Sequence, residues 1–234
     1  MTVYWLKFRL LSDATFGRGD GLAGVVDAEV QHDEYGLPYL SGKTLKGLLG
    51  AECAEILFAL QHCQKPEALA EWRKAAASLF GGPGSGATEA GLMHVDDARL
   101  PRSLRAEISQ EFTSLNDSVE RATRQRNMLE SLTALRRQTA MDAVTGAPKT
   151  NTLRTMRVIL RETPFEAELT FPRPADEREW GLLAACVRAF RRAGTGRNRG
   201  RGRLTAELYE TYPGDGVQPV TGSWFDLFRK AVQQ

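Results

Sequence analysis

The sequence is poor in the residues that most often betray a chemistry. Of 234 residues, three are cysteine (Cys53, Cys63, Cys186) and three are histidine (His32, His62, His94). The cysteines form neither a disulfide framework nor a C-x-x-C pair, a usage that fits a reducing cytoplasm. Cys53, His62, Cys63 and His94 match no zinc-finger spacing, and Cys53 falls on the apolar side of a helical pattern, so zinc is not expected. Apolar runs such as Gly181 to Val187 fall far short of a membrane span. Lys7, Arg9, Asp13, Arg18 and Asp20 break up the start of the chain, so a signal-peptide core is not expected. These absences point to a cytoplasmic protein with no membrane partner. With 42% hydrophobic and 26% charged residues the chain is not expected to be disordered.

What is present reads as an α+β domain. Tyr4 to Leu11 alternates, with Tyr4, Leu6, Phe8 and Leu10 on one face, and predicts a strand. Ser41 is placed to cap a helix that starts near Lys43 and runs to about Cys63 on Leu45, Leu49, Cys53, Ile56 and Leu60. Glu67 to Phe80 predicts a second helix, and Leu92 to Leu100 a short strand. Pro101 to Leu135 is polar and partly helical, from about Asp117 onward. Arg137 to Arg161 predicts strand, turn and return strand around Thr145-Gly146-Ala147-Pro148. A strand over Phe165 to Phe171, a helix on Trp180, Leu183, Val187 and Phe190, a strand from Leu204 and a short helix from Ser223 to Val232 complete the chain. Without the insertions the order is strand, helix, strand, strand, helix, strand. That is the ferredoxin-like order, shared by RNA-recognition domains that read single strands on the sheet face. The expectation is a single domain over 1–234, with insertions at about 12–42, 101–135 and 136–163.

The net charge is only +2, an average that hides its most informative part. Seven arginines lie between Arg188 and Arg203, with four glycines and no acid. Charge runs are usually solvated faces, but those mix both signs and favour Lys and Glu. An all-arginine run threaded with glycine suits an anion, with glycines admitting a polynucleotide backbone and guanidinium groups supplying bidentate donors. Arg197, Asn198, Arg199, Arg201 and Arg203 are the candidate RNA contacts there. The glycine spacing is not that of a dinucleotide fingerprint.

A second candidate is Gly36-Leu37-Pro38-Tyr39-Leu40-Ser41-Gly42-Lys43-Thr44, which has one residue too many for a nucleotide P-loop. The helix start with Lys43 and Lys46 remains a plausible phosphate seat. Among the acids of the early loop, Asp27 follows Val25-Val26, which would anchor it; there it would hold a divalent metal beside an RNA phosphate or orient a 2′-hydroxyl.

Four ordered segments together resemble the RAMP superfamily, the repeat-associated mysterious proteins of CRISPR effector complexes. Val26 to Asp33 followed by Gly36-Leu37-Pro38-Tyr39 through Leu45-Lys46-Gly47 is similar to the family's first signature. Leu79-Phe80-Gly81 with Val95-Asp96-Asp97-Ala98, then Thr139 to Phe165 as a thumb hairpin, then the Gly/Arg run, match in order. The closest resemblance is to the backbone subunit of type III complexes. It implies a subunit that binds guide RNA and target RNA, assembles with other effector subunits including copies or paralogues of itself, and in some cases cuts the target. It also implies a catalytic loop Asp, whose position Asp27 occupies, and a magnesium or manganese requirement. The type III pattern favours Asn-Pro after that Asp, where Ala28-Glu29 stand here. A non-catalytic guide-binding subunit and a standalone endoribonuclease that processes guide precursors remain open.

Overall fold

Strict alternation at the start of the chain places Leu6, Phe8 and Leu10 on one side of strand β1 (Thr2–Leu10), where all three are buried. The computed structural model describes residues 1–17, 28–63, 65–82, 91–142, 144–150 and 152–233. β1 pairs antiparallel with β5 (Pro164–Phe171) on one side and with β6 (Leu204–Tyr209) on the other. The register sets Phe8 opposite Phe165 and Ala206, and Leu6 opposite Ala167 and Leu208, so the three central strands share one apolar face. A two-residue strand, β2 (His94–Val95), pairs antiparallel with β5, giving the order β2-β5-β1-β6.

Helices cover that face. Ser41 accepts the Thr44 N–H and caps α1 (Gly42–Gln61), which buries Leu45, Leu49, Cys53 and Leu60 as its spacing predicts; Ile56 is half-buried. Pro66 opens α2 (Pro66–Phe80), which ends at Gly81 with φ 91°. An Asp176–Glu179 capping box starts α5 (Glu177–Ala189), buried over most of its length. Glu179 also accepts from Arg173 at 2.9 Å and from the Ser78 hydroxyl, tying α5 to α2. The last helix, α6 (Thr221–Gln233), packs against α5 through Trp224, Leu227 and Phe228.

The insertion after Pro101 holds more regular structure than its composition suggests. The polar stretch after Pro101 forms two helices, α3 (Arg102–Ser114) and α4 (Ser118–Leu132), where the sequence predicts helix only from Asp117 onward. Ile108 and Phe112 of α3 pack with Leu37 and Leu100 into a small second core, with Met128 and Leu132 of α4 against it. The predicted return strands are present as the antiparallel pair β3 (Thr133–Gln138) and β4 (Arg154–Ile159), but the first begins four residues before Arg137. The predicted strand over Leu92–Leu100 is shorter than expected. Beyond β2 only single bridges remain, Ala98 with Leu40 and Arg99 with Glu166, because Ala98 gives both of its backbone hydrogen bonds to Leu40 and none to β5. The outer edge of β6 is closed at both ends: the Leu204 N–H donates to the Arg191 carbonyl, and Leu208 is bonded through its N–H and carbonyl to Thr221 and Val220.

Trp180 stands at the junction of sheet and helices, its ring 4.5 Å from Tyr4, 4.9 Å from Phe171 and 4.3 Å from Trp224 between centroids. Replacing Trp180 by Ala is expected to cost about 3–5 kcal/mol, measured by chemical denaturation, with an early loss of α6 seen in amide exchange.

Candidate nucleic-acid interface

The Gly/Arg run folds as a loop between α5 and β6. Arg192 and Arg203 bridge at its base, where the Ala193 N–H donates to the Gly202 carbonyl at 2.9 Å. A 3₁₀ turn over Arg197–Arg199 forms the tip, flanked by Gly196 and Gly200 with φ 73° and 79°. Gly194 and Gly202 also have positive φ, and a Cβ on either would collide with the carbonyl of Thr15 or Ala193. All four glycines are therefore demanded by the loop's own geometry, beyond any approach to phosphate. Arg191, Arg192, Arg197, Asn198, Arg199 and Arg203 are exposed, and Arg201 is half-buried with its guanidinium against the Met156 sulfur. Among the described residues none of the seven arginines has a carboxylate within 4.0 Å; burial pushes the Glu52 pKa up, an effect that Arg197 and Arg191 only partly oppose.

The loop lies on the backbone of Leu11 to Phe16. Gly202 donates to the Asp13 carbonyl at 2.9 Å, Thr195 to the Thr15 carbonyl at 2.9 Å, and Arg203 to the Ser12 hydroxyl at 2.9 Å. The same segment receives the hairpin: Ala14 pairs with Ile159, and Thr15 Oγ1 donates to the Arg157 carbonyl at 2.9 Å. Asp13 joins the hairpin base through Arg136 at 3.0 Å and the Arg161 N–H at 3.2 Å. A cleft of about 640 Å³ lies between loop and hairpin, lined by Ser12, Asp13, Arg136, Arg161, Gly200 and Arg201. Arg136 and Arg161 were not singled out from sequence; their only signal was a position in the predicted hairpin.

The other sequence candidates separate. Lys43 is exposed at the start of α1. Lys46 points back into the protein, its ammonium donating to the Met93 carbonyl at 2.8 Å, and burial holds its pKa below the usual lysine value. The helix start also has an anion of its own, since Asp97 Oδ1 accepts the Gly42 N–H at 2.9 Å. The phosphate seat expected there narrows to the Lys43 side chain. Asp27 lies outside the described residues, with Arg18 and Asp20. Asp33 is a turn residue: Oδ1 accepts the N–H groups of Tyr35 and Leu37, and burial foremost pushes its pKa up. Cys53 is buried beside Cys186, Cys63 is exposed, and His94 pairs with Asp96 at 3.2 Å, so the four zinc candidates do not converge. Among the described residues no group of three or more His, Cys, Asp or Glu is placed to hold a metal ion. No helix among them is long and apolar enough to cross a membrane.

The helix-free face of the sheet is a poor platform for stacking bases. Lys7 is flanked across the strands by Glu166 and Glu207, and Trp5 by Glu168. Trp5 is only 7% exposed, edge-on to Tyr212 and covered by the Arg102 guanidinium 4.9 Å from its ring. Arg102 also pairs with Glu168 at 2.8 Å. Among the described residues, arginines without a carboxylate partner cluster on the loop and not on this face, although the exposed Lys43 lines a cleft beside it.

No curated protein matches the sequence. Among solved structures, the fold is similar to a chain of the type III-B Cmr-beta complex in its apo state, with TM-score 0.60 and 13% identity over 88% of this chain and 97% of that one. It is similar also to a chain of the Cmr-beta complex bound to cognate target RNA, with TM-score 0.58 and 12% identity over 89% of this chain and 97% of the other. Residues 7–205, from β1 into β6 and so including the arginine loop, match the family model of the RAMP superfamily, and the chain belongs to that superfamily.

Proposed function

We propose that this chain is a guide-RNA-binding backbone subunit of a type III CRISPR ribonucleoprotein in the cytoplasm, assembled with other effector subunits that include copies or paralogues of itself. The observation that carries the reading is the arginine loop: a rigidly braced loop whose arginines lack carboxylate partners among the described residues. Guide binding needs such charge along a backbone and little base readout, because pairing carries the sequence information. Arg197, Asn198, Arg199, Arg201 and Arg203, with Lys43, are the assigned contacts. The strand order β2-β5-β1-β6 supports a ferredoxin-like core, and the β3–β4 hairpin suits a thumb that separates nucleotides of the guide–target duplex.

On this reading the subunit also cuts target RNA, with Asp27 as the acid that orients or deprotonates the neighbouring 2′-hydroxyl. The 2′-oxygen then bonds to phosphorus as the bond to the 5′-oxygen breaks, leaving a cyclic phosphate and a 5′-hydroxyl that takes up a proton. Support for Asp27 comes from its place in the sequence signature. On this reading magnesium or manganese would be held by Asp27 and would stabilise the charge that develops on the phosphate; among the described residues no group of three or more His, Cys, Asp or Glu is placed to add to that site. Ala28-Glu29, standing where the type III pattern has Asn-Pro, favours a second reading in which the subunit binds guide without cutting.

Changing Arg197, Arg199 and Arg201 to Ala is expected to weaken guide binding and to flatten its dependence on log salt by about 0.7 per lost contact. An unchanged slope in a folded variant refutes the assignment. Lys43→Ala is expected to reduce RNA retention, in a protein that hydrolyses no ATP; turnover dependent on Lys43 would make this a nucleotide site. Asp27→Ala and Asp27→Asn should each slow target cleavage by assembled complex on the order of 10²-fold or more while binding survives. Cleavage is measured with and without magnesium or manganese. Wild-type rates in Asp27→Ala remove the catalytic role, and a wild-type complex that never cuts establishes the second reading.

A further inference from the structure

The cleft between the arginine loop and the hairpin base gathers basic groups from three segments: Arg136 on β3, Arg161 in the turn from β4 to β5, and Arg201 on the loop. Its volume of about 640 Å³ lies in the range typical of ligand sites. Of its two carboxylates, Glu162 pairs with Arg9, which does not line the cleft, at 3.3 Å. Asp13 is engaged within it. Oδ2 accepts from Nε and Nη2 of Arg136 at 3.1 and 3.0 Å, and Oδ1 accepts the Arg161 N–H at 3.2 Å. One oxygen on a guanidinium and the other on a backbone amide, with a single negative charge, is also what the two non-bridging oxygens of a phosphodiester would offer. The Arg161 guanidinium itself is exposed and, among the described residues, has no carboxylate within 4.0 Å. The turn that carries it passes through Glu162, whose φ of 70° is the only positive value at a non-glycine among the described residues. Such a conformation persists where neighbours enforce it. Here the Glu162 N–H donates to the Leu10 carbonyl at 2.8 Å, and the Leu10 N–H to the Thr163 carbonyl at 3.1 Å.

The Asp13–Arg136 pair is easily opened. The Arg136 side chain is 49% exposed and that of Asp13 23%, and an ion pair with such access to water contributes little to stability. The backbone beneath it is fixed independently: the Asp13 carbonyl accepts the Gly202 N–H, and Ala14 exchanges hydrogen bonds with Ile159. The Arg136 guanidinium can therefore change partner while loop and hairpin base stay in place. We propose that Arg136 and Arg161 hold a phosphate of the bound RNA strand in this cleft, and that Asp13 is its stand-in, keeping Arg136 aimed into the cleft while no RNA is there. The inference rests on the RNA-binding reading above and extends it from the loop to the base of the hairpin. When RNA enters, its phosphate takes the Arg136 guanidinium and Asp13 keeps the Arg161 N–H. The carboxylate thus orders the arginine in advance and lowers RNA affinity by competing for it.

The test uses the full chain and a labelled single-stranded RNA, titrated at several salt concentrations. Arg136→Ala and Arg161→Ala are each expected to flatten the dependence of log affinity on log salt by about 0.7, the value for one lost contact to a single strand. Arg161→Ala breaks no ion pair among the described residues, so a flattened slope there does not come from a disturbed fold. Asp13→Asn keeps an acceptor for the Arg161 N–H and removes the charge. It is expected to tighten binding about two- to five-fold, the scale of an exposed ion pair, and the gain is expected to vanish when Arg136 is also Ala. An unchanged slope in either arginine variant, while the combined Arg197, Arg199 and Arg201 change flattens it, overturns the inference and leaves the loop assignment standing. So does an Asp13→Asn gain that is absent, or one that persists without Arg136, since Asp13 is then not what holds Arg136 from the phosphate. A wild-type chain that binds no RNA removes the RNA-binding reading, and this inference with it.

Discussion

The backbone of Leu11 to Phe16 is the partner on which the rest of the interface depends. A strand leaving a sheet carries unpaired N–H and C=O groups that must find partners if they are buried. Here the arginine loop bonds Ser12, Asp13 and Thr15, the hairpin bonds Ala14, and the Gln31 N–H reaches the Phe16 carbonyl at 2.7 Å. One segment thereby sets the position of three others that lie far from it and from one another in sequence. Ala14 and Thr15 are fully buried, which removes the freedom of this junction to shift without losing all these bonds together.

Charge is distributed against that scaffold with a clear asymmetry. On the helix-free face of the sheet, Arg102 answers Glu168 and Lys7 sits between Glu166 and Glu207. At the hairpin base Arg136 answers Asp13. Among the described residues nothing comparable occurs on the loop between α5 and β6. Concentrated like charge raises the free energy of the isolated protein by self-repulsion, and a polyanion relieves it. The glycines matter here less as openings for phosphate than as the residues that let the loop turn four times with positive φ and keep its tip outward.

Much of the architecture was legible because period and burial agree. β5 and α5 bury the residues their spacing selects, and β1 and α1 bury all of theirs but Tyr4 and Ile56, which are half-buried. α3 was not, because it carries only two buried apolar residues, Ile108 and Phe112, and no side-chain cap at Pro101. Its partners Leu37 and Leu100 come from elsewhere in the chain, so no local pattern announces it. The arginine loop was legible from composition alone. Lys46 was misleading for the opposite reason: a lysine one turn into a helix reads as solvent-facing, and only the return of the chain at Met93 supplies the carbonyl that draws it inward. The role of Asp97 at the start of α1 is likewise a contact across 55 positions of sequence, invisible to any local motif.

The closed edges of the main sheet bear on how copies of this chain would line up. At one margin β2 has two residues to offer; at the other, both ends of β6 are already bonded to Arg191, Val220 and Thr221. Strand-by-strand extension of a sheet from one molecule into the next needs a long free edge. Extension of the main sheet into a neighbouring copy is therefore disfavoured at both margins, which leaves side chains, loops or nucleic acid to join copies there.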